Sequence, residues 1–156
     1  MEEAKRAFIY ALKTLTRRDH SEAELRRKLT GREFSEEAVE ETVGRLKESR
    51  YLDDRRFALN WAESAVRNGR GYGYRLRFEL SRRGIAEELA AEVIAQVNTD
   101  YGEADTLKAL VLKKFPGFDP VSADERQKRR MIGYLQRRGF SLSAIRAYFS
   151  SSPEED

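Results

Sequence analysis

The chain has 156 residues, 37% of them charged and 40% hydrophobic, and its 30 Lys and Arg against 27 Asp and Glu leave a formal net charge of +3. Ten glycines, three prolines and no cysteine exclude a collagen, a mucin stalk and a disulfide scaffold. The absence of cysteine and the single histidine, His20, also exclude Cys-bound zinc and two-His metal motifs and argue against a Ser-His triad. We therefore expect neither an enzyme nor a cofactor.

Membrane association is not expected from the hydropathy pattern. No segment approaches the roughly 18 apolar residues needed to cross a bilayer. The first five residues lack the charged-then-apolar order of a secretory signal. The sequence therefore predicts a cytoplasmic protein.

Apolar residues recur at steps of three and four along nearly the whole chain, and no sustained alternation of period two interrupts them. The first 115 residues contain no proline, so nothing in them obliges a helix to break. This pattern predicts an all-α chain. The expected helices, in chain order, are 4–17, 21–30, 35–49, 54–68, 73–83, 86–97, 103–114, 123–138 and 141–150.

Several of these helices begin at residues that favour N-capping. Ser21 is followed three residues later by a glutamate, which is the pattern of a capping box. Asp53 is flanked by apolar residues that can pack across the helix start, and Ser35 and Ser141 have the same surroundings. Ala86, at the matching place in the middle of the chain, cannot cap in this way.

Related segments recur along the chain and define a tandem array. They begin at Leu29, Leu80 and Leu135, which are 51 and 55 residues apart. A period near 50 residues is typical of repeated supersecondary units. We therefore predict an elongated array of three three-helix repeats, nine helices in all, with a flexible connection at Gly69–Gly73. The predicted units are 1–51, 52–101 and 102–150, followed by a disordered acidic tail at 151–156.

The second helix of each unit is rich in Arg and Lys. Two readings stay open: a solvated helix face, or a basic stripe that meets nucleic-acid phosphates or an acidic filament groove. Tyrosines beside the middle stripe are candidates to stack on bases or to pack internally. The candidate binding residues are Arg26, Arg27, Lys28, Arg70, Tyr72, Tyr74, Arg75, Arg77, Arg82, Arg83, Lys128, Arg129, Arg130, Arg137 and Arg138.

Specific motifs occur in the first two units and weaker ones in the third; they are Arg18–Ser21, Glu24–Leu29, Tyr51–Asp54, Arg56–Ala58, Gly71–Gly73, Arg75–Arg77, Glu79–Leu80, Arg83–Ile85, Arg129–Arg130, Tyr134–Leu135 and Arg138–Phe140. Together these motifs resemble the bacterial RecX family of regulatory proteins. The resemblance covers nearly the whole chain. The chain differs from the family at one helix start. Family members often have a proline where the helix near residue 73 begins, whereas this chain has Gly73-Tyr74.

The resemblance implies a monomeric, non-enzymatic protein that binds the RecA recombinase and its filament on DNA. Such a protein would inhibit filament growth, ATP hydrolysis and co-protease activity, and so influence recombination, DNA repair and the SOS response. The alternative from another class is a helical DNA-binding module that acts directly on nucleic acid.

Overall fold

A computed structural model describes residues 1–151, and all regular secondary structure in that range is α-helical. Every helix begins and ends within three residues of its predicted bounds, so the all-α prediction is confirmed. No described helix combines the length and apolar content that crossing a membrane requires. The helices are α1 Glu2–Arg17, α2 Glu22–Gly31, α3 Glu36–Glu48, α4 Asp54–Arg67, α5 Tyr74–Arg82, α6 Glu87–Asp100, α7 Glu103–Lys114, α8 Glu125–Arg137 and α9 Leu142–Ser150.

The predicted N-caps are confirmed. Ser21 forms both bonds of a capping box with the residue at N3. Ser35, Asp53 and Ser141 each accept a hydrogen bond from the backbone N–H at N3 of the following helix. Ala86 makes no side-chain cap bond, as its methyl group dictates. Local hydrogen bonding therefore sets where most of these helices start.

The turn after the second helix has the same left-handed backbone in all three units. Gly84 has a φ of 81° and Gly139 a φ of 103°, whereas the first unit places Glu33 there with a φ of 65°. A residue with a Cβ atom pays roughly 1–2 kcal/mol for this conformation. The tertiary structure thus preserves the repeat even where the sequence departs from glycine.

The repeated apolar positions form the core. Alanines at matching places in α1 and α4 are fully buried, so these helices approach their neighbours closely. The repeated leucines and the apolar residue four positions before each of them are also buried. They are Leu25, Leu29, Leu76, Leu80, Met131 and Leu135.

The second and third units share one hydrophobic core, whereas the first has a core of its own. Tyr72 stacks on Phe140 with ring centroids 5.2 Å apart, and its backbone N–H donates to the Arg138 carbonyl over 2.7 Å. The expected flexible connection at Gly69–Gly73 is therefore packed against the third unit. Local sequence patterns do not predict this junction because the two contacting segments lie more than 60 residues apart.

The first and second units meet through polar groups at helix ends. The Ser21 hydroxyl donates to the Arg83 carbonyl over 2.5 Å. The Glu22 backbone N–H donates to a carboxylate oxygen of Asp54 over 2.8 Å, and burial raises the pKa of that carboxyl group. Gly84 packs so closely on Ala23 that a Cβ atom there would lie 2.2 Å from the alanine methyl. This junction consequently fixes the direction of α2 relative to α5.

The molecule exposes 10398 Å² of surface, against about 8,100 Å² for a compact protein of the same mass. This excess accords with an elongated array. The exact unit bounds 1–51, 52–101 and 102–150 stay a prediction, and residues 152–156 of the predicted tail lie outside the described residues.

Candidate functional site

The basic residues of α8 form the least neutralised of the predicted stripes. Arg129, Arg130 and Arg137 are exposed and Lys128 is half-buried. No described carboxylate lies within 4.0 Å of these four cations. Their positive charge is therefore available to an external anionic partner.

An aromatic cleft lies beside this stripe. It has a volume of about 420 Å³, and Arg129, Arg130 and Arg137 contribute to its lining. Phe115 and Tyr134 meet in it edge to face, with ring centroids 5.1 Å apart. Neither ring is among the predicted binding residues, although the position of Phe115 directly before Pro116, at a helix end, is a signal in the sequence. Cations beside accessible rings can bind an unstacked base or an acidic peptide with an apolar side chain.

The basic residues of α5 are more strongly compensated within the chain. Arg75 pairs with Glu79 at 2.8 Å, and Arg77 pairs with Glu87. Arg82 is exposed, and its guanidinium lies 5.8 Å from the centroid of the Phe78 ring. Only part of the predicted middle stripe thus carries charge without a carboxylate partner.

The α2 stripe is divided in the same way. Arg26 pairs with Glu22 and Glu40, and these contacts raise the pKa of its guanidinium. Arg27 and Lys28 are exposed, and no described carboxylate lies within ion-pair distance of either. These two residues are the accessible cations of the α2 set.

Of the two alternatives left open for Tyr72, stacking on bases or packing internally, the structure shows internal packing. Tyr72 is 3% exposed, it stacks on Phe140, and its hydroxyl donates to the Tyr101 carbonyl over 2.7 Å. Burial raises the pKa of this phenol. Tyr74 remains 60% exposed, although its hydroxyl donates to the Gln136 carbonyl. Of the two predicted aromatic contacts, only Tyr74 presents its ring to solvent.

The remaining candidates lie at the junctions between units. Arg83 is half-buried, with its guanidinium 2.9 Å from a carboxylate oxygen of Glu79 and 4.4 Å from the Trp61 ring centroid. The Arg138 guanidinium donates to the Arg70 carbonyl over 3.3 Å, while Arg70 itself is exposed. Substitution of Arg83 or Arg138 would therefore remove contacts within the protein as well as a positive charge.

His20 lies immediately before the Ser21 cap, as the sequence indicates for the start of α2. It is 1% exposed, and its Nδ1 lies 2.9 Å from the Arg18 carbonyl. Because a carbonyl only accepts, Nδ1 carries the proton of the neutral ring. Burial is the main cause that lowers the pKa of His20, with a smaller contribution from the charge of Arg18.

This lowered pKa predicts a loss of stability in mild acid. The unfolded chain binds a proton on His20 below a pH of about 6.5 while the folded chain resists it, so the free energy of unfolding falls as pH drops below that value. Urea denaturation between pH 5 and 7.5 should show this decrease, and His20→Gln should reduce the dependence on pH. Equal pH dependence in the two proteins would contradict the assignment.

Three family models match the chain in sequence order. They describe the first, second and third three-helix domains of RecX and match residues 7–46, 53–94 and 102–149. The Regulatory protein RecX of Trichlorobacter lovleyi is 42% identical over 91% of this chain and 92% of its own length. The protein of that name from Syntrophotalea carbinolica is 35% identical over 92% and 94%.

The fold also matches a solved structure of that name. The crystal structure of RecX from Lactobacillus salivarius superposes with a TM-score of 0.77, covering 94% of each chain at 16% sequence identity. At that identity the superposition shows a common fold. Together with the relatives that align over nine-tenths of their length, the three successive domain matches show that this chain belongs to the RecX family of regulatory proteins.

Proposed function

We propose that this protein binds the RecA recombinase and its nucleoprotein filament, and that it inhibits filament growth and the activities that depend on the filament. Membership of the RecX family supports a regulatory role. The observation that carries the proposal is the α8 surface, where Arg129, Arg130 and Arg137 lie exposed without carboxylate partners beside an aromatic cleft. A filament on DNA offers acidic side chains and phosphates that suit such a surface.

Inhibition then follows from binding to the filament alone and requires no catalysis by this chain. The three units display basic residues on α2, α5 and α8, so one molecule can make successive contacts along a periodic partner. A monomer bound in a filament groove would obstruct the addition of the next subunit. It would also restrain the movements between subunits that accompany ATP hydrolysis. We place this action in the cytoplasm, where the filament assembles.

Direct binding to DNA is the second candidate function, and the same α8 cations favour it. Cations without acidic partners release counterions when they meet phosphates, which gives affinity that falls with salt. The two functions differ in what happens without RecA. A direct DNA-binding module would bind a DNA oligonucleotide with the same affinity whether or not RecA is present.

The proposal is tested by adding the purified protein to a bacterial RecA on circular single-stranded DNA. We expect a lower rate of ATP hydrolysis and shorter filaments in electron micrographs, at protein concentrations that leave naked DNA largely unbound. The protein alone should hydrolyse no ATP. Unchanged filament length and hydrolysis at saturating protein would contradict the proposed function.

A further inference from the structure

A second basic cleft lies in the first unit, away from the α5 and α8 residues described above. It has a volume of about 410 Å³ and is formed between α1, α2 and the turn that joins them. Its four α1 residues, 10, 13, 14 and 17, follow the i, i+3, i+4, i+7 pattern, which places them along one helix face. The lining residues are Tyr10, Lys13, Thr14, Arg17, Arg18, His20, Lys28 and Arg32.

The lining of this cleft contains five cations and no carboxylate. Arg18 pairs with Glu24 at 3.4 Å, but no described carboxylate lies within 4.0 Å of the other four cations. Elsewhere in the first unit Arg26 and Lys47 have acidic partners. Converging positive charges repel one another, and the repulsion is relieved when an anion enters.

Two uncharged groups in the lining, His20 and Tyr10, respond to the charge around them. His20 is buried, and its Nε2 has no hydrogen-bond partner among the described residues, although buried polar atoms normally have one. Burial chiefly lowers the pKa of this imidazole, and the charges of Arg18 and Lys28 lower it further. Burial raises the pKa of Tyr10, but Arg32, Thr14 and Lys28 together lower it by more, so the net shift is downward. Both groups thus respond to positive potential in the cleft.

We propose that this cleft binds a phosphate group. Arg and Lys donors from α1, α2 and the residues just after each helix can surround a multiply charged tetrahedral anion, and the Tyr10 hydroxyl adds a further donor. The oxygens of a phosphate can accept from more of these donors than the two oxygens of a carboxylate can. The phosphate can come from a nucleic-acid backbone or from a free polyphosphate. Lys28 is one of the predicted RecA- and DNA-binding residues. Lys13, Arg17 and Arg32 are not among them, so the cleft adds cations on α1 and just after α2.

This inference goes beyond the proposed function because it requires no RecA. The cleft lies within one unit, so the isolated protein is sufficient for the test. A protein that inhibits RecA without binding phosphate here, or one that binds phosphate here without inhibiting RecA, would separate the two proposals.

His20 provides a specific reporter, because it is the only histidine in the chain. We would titrate the full-length protein with inorganic pyrophosphate and, separately, with a single-stranded oligodeoxythymidylate, and follow the His20 ring resonances by NMR. A saturable shift with either probe supports the proposal. A shift with the oligonucleotide alone identifies backbone phosphate as the source, and a shift with pyrophosphate alone identifies a free polyphosphate.

The double variant Lys28→Gln/Arg32→Gln should weaken the response to the active probe at least tenfold, because it removes two charged donors from the cleft. The matched control Lys108→Gln/Arg146→Gln makes the same change of net charge at exposed residues elsewhere and should titrate like the parent protein. Circular dichroism verifies that both variants remain helical. A parent protein in which neither probe shifts His20, or a cleft variant with undiminished affinity, would overturn the proposal.

Discussion

Charge reversal of Arg129, Arg130 and Arg137 to Glu is expected to abolish inhibition of RecA filaments while leaving the helical fold intact. These side chains are exposed on α8, and no described carboxylate is left unpaired by their removal. Surface substitutions of this kind usually change the free energy of unfolding by no more than about 0.5 kcal/mol. The measurements are RecA-dependent ATP hydrolysis, filament length and far-UV circular dichroism.

A triple reversal of Lys5, Lys108 and Arg146 to Glu is the control, since it changes the net charge equally at exposed residues outside α2, α5 and α8. It should retain most of the inhibition. If the α8 variant stays folded and inhibits like the parent protein, the α8 stripe is only a solvated face.

The α8 variant also identifies what the stripe contacts. If the α8 cations of the parent protein meet phosphates, its affinity for DNA falls with salt. A plot of the logarithm of the binding constant against the logarithm of the salt concentration then has a slope of about −0.7 to −0.9 per phosphate neutralised, and the reversal makes that slope shallower. If they meet acidic side chains of RecA, binding to DNA alone survives and binding to the filament is lost.

Charge reversal on α5 would be harder to interpret, because it would change stability as well as binding. Reversal of Arg75 would place a carboxylate beside Glu79, and reversal of Arg77 would do the same beside Glu87. Repulsion between these like charges would lower stability as well as remove a contact. A loss of inhibition in such a variant would therefore have two causes.

Gly139→Ala is expected to lower the free energy of unfolding by about 3 kcal/mol or more. The residue has a φ of 103°, and a Cβ atom there would lie 1.9 Å from the Tyr72 carbonyl oxygen and 2.8 Å from the Arg75 Cβ. Backbone on both sides would have to move, which would separate the second unit from the third. Urea denaturation followed by circular dichroism measures the effect.

Gly44→Ala provides the matched control. Gly44 lies inside α3, and a Cβ atom there would meet no atom within 4 Å. Alanine is the better helix former, so this variant should be stabilised by roughly 0.5–1 kcal/mol. Equal stability of the two variants would contradict the close packing at the junction of units two and three.

The positions of the helices could be predicted from the sequence because their signals are local. Ser21, Ser35 and Asp53 cap the helices that they precede, and each needs only the backbone of its own next turn. The repeated leucines Leu29 and Leu80 are buried, since one apolar face of a helix must be buried wherever its neighbours lie. Recurrence of these signals also predicted three units.

The tertiary structure alone decided which side chains remain accessible. Tyr72 and Tyr74 are two residues apart in similar surroundings, yet Tyr72 is buried because Phe140 from the third unit packs on its ring. The phosphate cleft exists only because α1 brings Tyr10 next to Arg32, the residue that follows α2, with 4.9 Å between the guanidinium and the ring centroid. Composition along one helix shows how many cations it carries. Packing between helices determines which of them meet a carboxylate and which are left to bind a partner.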